Sequence, residues 1–182
     1  MNLVNLLLDS FSVQPNSLGR ADIYKDYGFG EKMRLSYQLD QISYEIGMIN
    51  SFIEMVACGV KRLAISPPID PSNLNIMLEA SEIISDGFGT KYRFEESLIV
   101  TDIQSAEFTE GKNSILYYAT DDAIAEYLDL KEKIKSLTEK NQYFGQKRRE
   151  ISFAFGRLLG YPDEVILRKI DSPSHIDPFV LI

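Results

Sequence analysis

The chain of 182 residues has one cysteine, Cys58, and one histidine, His175. A single cysteine cannot form a disulfide within the chain, and it provides no cysteine cluster for zinc or an iron–sulfur group. A single histidine excludes metal sites built on two or more histidines. The sequence therefore predicts no metal and no evident cofactor, although carboxylates alone could bind a metal or do acid–base chemistry. A chain without disulfides is typical of a reducing cytoplasm, which is the predicted location.

Long apolar runs are also missing from the sequence. No stretch approaches the roughly 18 consecutive apolar residues of a transmembrane helix. The short apolar run at residues 3–8 has no basic residue before it and ends at Asp9, so it is not typical of a signal peptide. We therefore expect neither a membrane span nor a membrane partner.

Basic residues are fewer than acidic ones, with 19 Lys and Arg against 27 Asp and Glu and a formal net charge of −8. This balance disfavours nucleic acid as a partner, because proteins bind it mainly by neutralising phosphates. Residues 82–130 hold 11 acids and 3 bases, whereas residues 140–169 hold 7 bases and 3 acids. The basic segment has two interpretations: a solvated helix face, or a site for a small anionic ligand or an acidic partner.

The strongest periodic pattern predicts one long helix over residues 35–58. Apolar residues recur there at alternating intervals of four and three, which places them on one helical stripe. Gly59 follows, where a left-handed residue commonly ends a helix, and Cys58 is expected to be a small core residue. Such a helix is expected to pack on the core, and a homodimer through it remains open. The stripe consists of Leu35, Leu39, Ile42, Ile46, Ile49, Ile53 and Val56.

Three apolar segments predict strands, at residues 62–66, 92–100 and 114–119. Helical spacing over residues 72–86 predicts that the first two strands form a βαβ unit, and the third strand is expected to pair antiparallel with its predecessor. The predicted fold class is α/β: a small mixed β-sheet of about three to four strands covered by helices, with a helix-rich C-terminal part.

The length fits a single domain. Within it the sequence predicts four parts: an N-terminal helical part at about 1–58, a βαββ core at about 61–119, C-terminal helices at about 120–170, and an apolar tail at 171–182 that docks on the core or on a partner.

Carboxylates follow two of the predicted strands. Ligands of α/β sheets tend to lie at the carboxyl ends of parallel strands, so these groups could converge and act as a general acid or base. The alternative is that each caps a turn or a helix separately. The candidates are Asp70, with Ser66, after the first strand, and Asp121 and Asp122, with Thr120, after the last.

The C-terminal corner, residues 151–164, is the most distinctive segment. Gly160 can end one helix in a left-handed conformation, and Pro162 suits the first turn of the next. Arg157 lies one turn before Tyr161, and these two residues are candidates for binding an anion. The cluster Lys147, Arg148 and Arg149 is a second candidate for the same ligand.

The stretch Gly156 to Pro162 resembles conserved, chiefly archaeal, protein families in which a Gly-x-Leu-Leu-Gly-Tyr-Pro motif recurs. The resemblance covers seven residues and implies no particular activity. Members of those families often carry cysteines after the proline. This chain has acids at Asp163 and Glu164 instead, so the resemblance implies no thiol chemistry here.

Recognised catalytic and nucleotide-binding motifs are absent, including the P-loop, Gly-x-Gly-x-x-Gly after a strand, and Gly-x-Ser-x-Gly. The sequence therefore favours a binding or regulatory domain. The alternative is a small enzyme that acts on a phosphorylated or carboxylated metabolite.

Overall fold

The computed structural model describes the backbone of residues 11–15, 20–26, 32–38, 40–106 and 113–171, and the side chains of the last two ranges. Residue contacts divide the chain into two compact units, whereas the sequence predicted a single domain. The first unit is Met1–Tyr44 with Ile176–Ile182, and the second is Glu45–His175. The apolar tail and His175 lie outside the described residues, so the predicted docking of the tail stays a prediction.

The first unit contains an antiparallel sheet of three consecutive strands, β1 (Phe11–Pro15), β2 (Arg20–Asp26) and β3 (Lys32–Gln38). The prediction of a helical N-terminal part is therefore wrong over these strands. Leu35 fits the helical stripe, but residues 32–38 also alternate polar and apolar with the period of a strand. Pairing decides between the two patterns, because β2 and β3 join along their full length with Ile23 opposite Leu35.

From residue 41 onward, helices alternate with three short strands. The elements are α1 (Gln41–Ala57), β4 (Leu63–Ile65), a 3-10 turn (Pro71–Asn73), α2 (Leu74–Phe88), β5 (Lys91–Glu95), β6 (Ser114–Tyr118), α3 (Asp121–Glu139), α4 (Gly145–Leu158) and α5 (Asp163–Asp171). This confirms the predicted class, a small sheet covered by helices with a helix-rich C-terminal part.

The strands of the second unit lie in the order β4–β6–β5. β6 pairs antiparallel with both neighbours, so β4 and β5 run in the same direction without pairing to each other. The predicted βαβ unit is present with β6 inserted between its strands. The antiparallel pairing predicted for the third strand is confirmed.

Helices cover both faces of this sheet. Leu63 and Leu116 pack with Tyr127 in the layer formed by α3 and α4. Their strand neighbours Ala64 and Ile115 pack in the layer formed by α1 and α2. Because successive strand residues point to opposite faces, the unit is a helix–sheet–helix sandwich with a core on each side.

Helix α1 begins six residues later than expected and buries only the C-terminal part of the predicted stripe, since Ile42 is 36% exposed. Ile49, Ile53 and Val56 are buried, and the left-handed Gly59 follows the helix as predicted. Cys58 is exposed. The expectation of a core cysteine is wrong, because Cys58 follows the exposed side of the helix, with the exposed Glu54 one turn before it. The homodimer through this helix stays a prediction.

Strand β5 ends at Glu95, not at residue 100 as predicted. Leu98 and Ile99 are each 4% exposed, so burial continues after the ladder stops. Side chains hold the segment after β5 in place. Lys131 of α3 donates a hydrogen bond to the Ser97 carbonyl oxygen, and Tyr143 of the α3–α4 connection donates one to that of Val100. An apolar run therefore indicates burial here, and only part of it is a strand.

Candidate functional site

The carboxylates predicted to converge lie at opposite edges of the second sheet. Asp70 follows β4, whereas Asp121 and Asp122 follow β6, which runs antiparallel to β4 with Tyr118 opposite Leu63. The prediction of a shared site is therefore wrong. It assumed that the carboxyl ends of the two strands meet, which holds for parallel strands and fails for antiparallel ones.

Asp70 has a local structural role. Its carboxylate accepts hydrogen bonds from the Ser72 backbone nitrogen at 2.8 Å and from the Ser72 hydroxyl at 2.6 Å. These bonds hold the pKa of Asp70 below its usual value. Asp70 caps the 3-10 turn, so the turn interpretation accounts for it.

Asp121 and Asp122 occupy the first turn of α3, where negative charge favours the helix. The Lys91 ammonium donates to the Asp121 carboxylate at 2.6 Å, and this contact raises the pKa of Lys91. Thr120 is the residue before the helix, as predicted, although its hydroxyl makes no capping bond. Their place in the first turn of α3 accounts for both acids without a shared site.

The C-terminal corner is a helix junction that a lysine side chain holds in place. Gly160 has a φ of +82°, as predicted for a helix end. The Lys61 ammonium donates to the Leu159 carbonyl oxygen at 2.8 Å, and burial lowers the pKa of Lys61. The Tyr161 ring lies 5.1 Å from the Lys61 ammonium and 5.6 Å from that of Lys169. The corner is thus anchored to the turn after α1.

Two arginines on α4 pair with acids on α5. Arg157 binds both carboxylate oxygens of Asp163, at 2.8 and 2.6 Å, and Arg149 donates to Asp171. The guanidinium beside each acid holds its pKa below the usual value. All four side chains are well exposed, so salt and water screen these pairs.

Arg148 faces a different partner. Its guanidinium donates to Asp102 at 2.5 Å and to the Thr101 carbonyl oxygen at 3.1 Å, and it lies 5.3 Å from the Tyr143 ring centre. The Tyr143 hydroxyl donates to Val100, and burial raises the pKa of Tyr143 to about 12. Arg148 therefore joins the segment after β5 to α4, whereas Arg149 pairs with an acid of α5.

Sequence reasoning missed an ion pair between a buried acid of β5 and a partly exposed lysine of α3. Glu95 is 5% exposed, and the Lys131 ammonium donates to its carboxylate and to the Ser97 carbonyl oxygen. Tyr127 lies nearby; burial, followed by the charge of Glu95, raises the pKa of Tyr127 well above its usual value. Lys131 follows Glu95 by 36 residues, so no local pattern connects the two.

Replacing Lys131 by methionine should lower the free energy of unfolding by about 2 kcal/mol, between the values for exposed and buried pairs. The change leaves the buried Glu95 without its cation, and chemical denaturation measures the loss. The control is Lys133→Met, because Lys133 pairs with Asp129 on the exposed side of the same helix. Equal losses in the two variants would contradict a structural role for the Glu95 pair.

The surface between α3 and α4 forms a groove of two adjoining depressions, which we call the α3–α4 groove. Their volumes are about 350 and 430 Å³, and both are open to solvent. Glu150 and Ala154 line both depressions, so the groove is continuous along α4. Its apolar lining consists of Leu130, Leu137, Ile151, Phe153 and Ala154.

Four cationic and two acidic side chains line the α3–α4 groove. The acids have partners within the protein: Glu126 accepts from Arg62 at 2.6 Å, and Glu150 accepts from Gln146 at 2.9 Å. The cations are Lys133, Lys147, Arg149 and Arg157. The lining therefore has more cations than acids on a protein whose net charge is −8, and three of its cations have acidic partners outside the lining: Lys133 with Asp129, Arg149 with Asp171 and Arg157 with Asp163.

The groove brings together three of the five residues predicted to bind an anion. Lys147 lines one depression, and Arg149 and Arg157 line the other. Arg148 and Tyr161 do not line it. The acidic residues Asp70, Asp121 and Asp122 do not line it either. Anion binding by Lys147, Arg149 and Arg157 stays a prediction. The structure adds that these three residues lie on one surface, the α3–α4 groove.

Comparisons with protein-family models, with curated proteins and with solved structures give no match to this chain. Within residues 40–106 and 113–171, no group of three or more His, Cys, Asp or Glu side chains is arranged to hold a metal ion. None of the helices that the structure describes is long and apolar enough to cross a membrane.

Proposed function

We propose that this protein is a binding domain, and that the α3–α4 groove receives an acidic segment of a partner protein. The observation that supports this is the combination of an apolar floor with four cationic side chains on an acidic protein. Charge complementarity of this kind steers a partner to one surface and sets its orientation.

The shape of the groove supports binding of a chain segment. Small-molecule sites are concave and enclose most of their ligand, whereas both depressions are open to solvent. The enzyme alternative has less support, because none of its candidate carboxylates, Asp70, Asp121 and Asp122, lines the groove with the cations. An exposed thiol at Cys58 fits the proposed reducing cytoplasm.

Reversing two charges of the groove tests the proposal. A fluorescently labelled decaglutamate peptide should bind the wild-type protein at low salt, as a rise in fluorescence anisotropy. Lys133→Glu combined with Lys147→Glu should weaken binding about tenfold or more, because the peptide then meets like charges. Added salt should weaken binding of the wild type, because these contacts are exposed to solvent.

The control is the pair Lys135→Glu and Arg168→Glu, which makes the same change in net charge at exposed positions outside the groove. Affinity should stay near that of the wild type. Equal weakening in both double variants would show that the peptide responds only to net charge, and it would contradict a site in the groove.

A further inference from the structure

Helix α5 carries two acids that form ion pairs with two of the four cations in the groove. Arg149 and Arg157 line the groove, and each is paired with an acid of α5, Asp171 and Asp163 respectively. The arginines are eight residues apart on α4, and the acids are eight residues apart on α5. Eight residues of a helix rise about 12 Å, so the two helices match their charges at two points.

These two contacts are easily replaced. All four side chains are exposed, and exposed ion pairs contribute little to stability. The docking of α5 has another source, since Ile166 is fully buried and packs over Gly156. The carboxylates can therefore leave the arginines while α5 stays in place.

We infer that α5 is an internal competitor of the acidic partner, and that the partner binds by taking Arg149 and Arg157 from Asp171 and Asp163. The inference rests on the proposed function of the groove. It specifies the partner further: two carboxylates about 12 Å apart, which are two turns apart in a helix or about four residues apart in an extended chain.

Removing the two competing charges on α5 should increase the affinity of the groove for an acidic peptide. With labelled decaglutamate as the probe, Asp163→Asn combined with Asp171→Asn should bind about 3- to 10-fold more tightly than the wild type, as expected for the loss of two weak competing pairs. Asp163→Glu combined with Asp171→Glu keeps both charges and should bind like the wild type.

Two controls separate competition from a change in net charge or fold. Glu79→Gln with Glu82→Gln removes the same charge at exposed positions of α2, on the other face of the sheet from α4, and it should leave affinity within about twofold of the wild type, because the competing pairs remain. Asp171→Asn alone changes only the last residue of α5, so it preserves the helix and should give an intermediate gain.

The gain must also depend on the arginines. In a protein that carries Arg149→Gln and Arg157→Gln, the two Asp→Asn changes should leave affinity unchanged. Near-ultraviolet circular dichroism verifies that each variant keeps its tertiary packing.

The possible failures are distinguishable. If the wild type binds decaglutamate through the groove and the Asp→Asn double variant binds no more tightly, the competition by α5 is overturned and the proposed function stands. If neither the wild type nor the Asp→Asn double variant binds the peptide, the proposed function fails, and the competition fails with it.

Discussion

Replacing Phe155 by alanine should lower the free energy of unfolding by about 3–5 kcal/mol. Phe155 is fully buried, and its ring centre lies 6.2 Å from that of Tyr127 on α3. The substitution removes a large apolar side chain and leaves a cavity between α4 and the sheet, where close packing permits little collapse. It also removes an aromatic pair that joins the two helices of the groove.

Phe144 provides the matched control for Phe155. It precedes the same helix and is 68% exposed, so Phe144→Ala should change stability by less than about 0.5 kcal/mol. Urea denaturation followed by circular dichroism measures both variants. Similar losses in the two would contradict the docking of α4 on the sheet through Phe155.

Replacing Ile166 by alanine should lower the free energy of unfolding by about 2–4 kcal/mol. Ile166 is the buried residue of α5 and fills the notch above Gly156. Because α5 is nine residues long, much of the effect should appear as local opening. Amide hydrogen exchange should rise over residues 163–171. Leu167→Ala, at the next and exposed position, should leave exchange unchanged.

Gly156 and Ile166 should behave as a coupled pair. A β-carbon at Gly156 would lie 2.7 Å from Cγ1 of Ile166, so Gly156→Ala introduces strain of about 1–3 kcal/mol that offsets its gain of about 1 kcal/mol in helix propensity. In the double variant with Ile166→Ala, the new methyl group partly fills the cavity. The double variant should therefore lose less stability than the two single variants together, and additive losses would contradict the close packing.

Local signals in the sequence predicted the C-terminal corner well. Gly160 ends α4 in a left-handed conformation, and the acids Asp163 and Glu164 begin α5, as expected. These features depend on residues within one or two turns of each other, so composition and spacing are sufficient to reveal them. Asp163 follows Arg157 by only six residues, yet their ion pair was not predicted, because Arg157 was interpreted as a residue that binds an anion.

Patterns that fit two structures were resolved only by distant contacts. Leu35 fits both a helical stripe and a strand, and its pairing with β2 makes it a strand residue. Leu98 and Ile99 are as apolar and buried as strand residues. They lie outside the sheet, and the side chains of Lys131 and Tyr143 bind the carbonyl oxygens on either side of them.

The order of strands determined which candidate residues meet, and the sequence does not encode that order locally. Strand β6 lies between β4 and β5 and runs antiparallel to both. Asp70 after β4 and Asp121 after β6 therefore lie at opposite ends of the strands. The α3–α4 groove could not be predicted from the sequence for a related reason. Its cations Lys133 and Lys147 lie on different helices, and only the packing of α3 on α4 makes them neighbours.

The most direct test of the account is a map of where the acidic peptide binds. In ¹⁵N–¹H correlation spectra, added decaglutamate should shift the backbone signals of α3 and α4 along the groove and the side-chain Nε signals of Arg149 and Arg157. Signals near Asp70 and Asp121 should stay unchanged. Shifts that are absent from the groove, or that spread evenly over the surface of the protein, would contradict the claim that the groove binds an acidic segment.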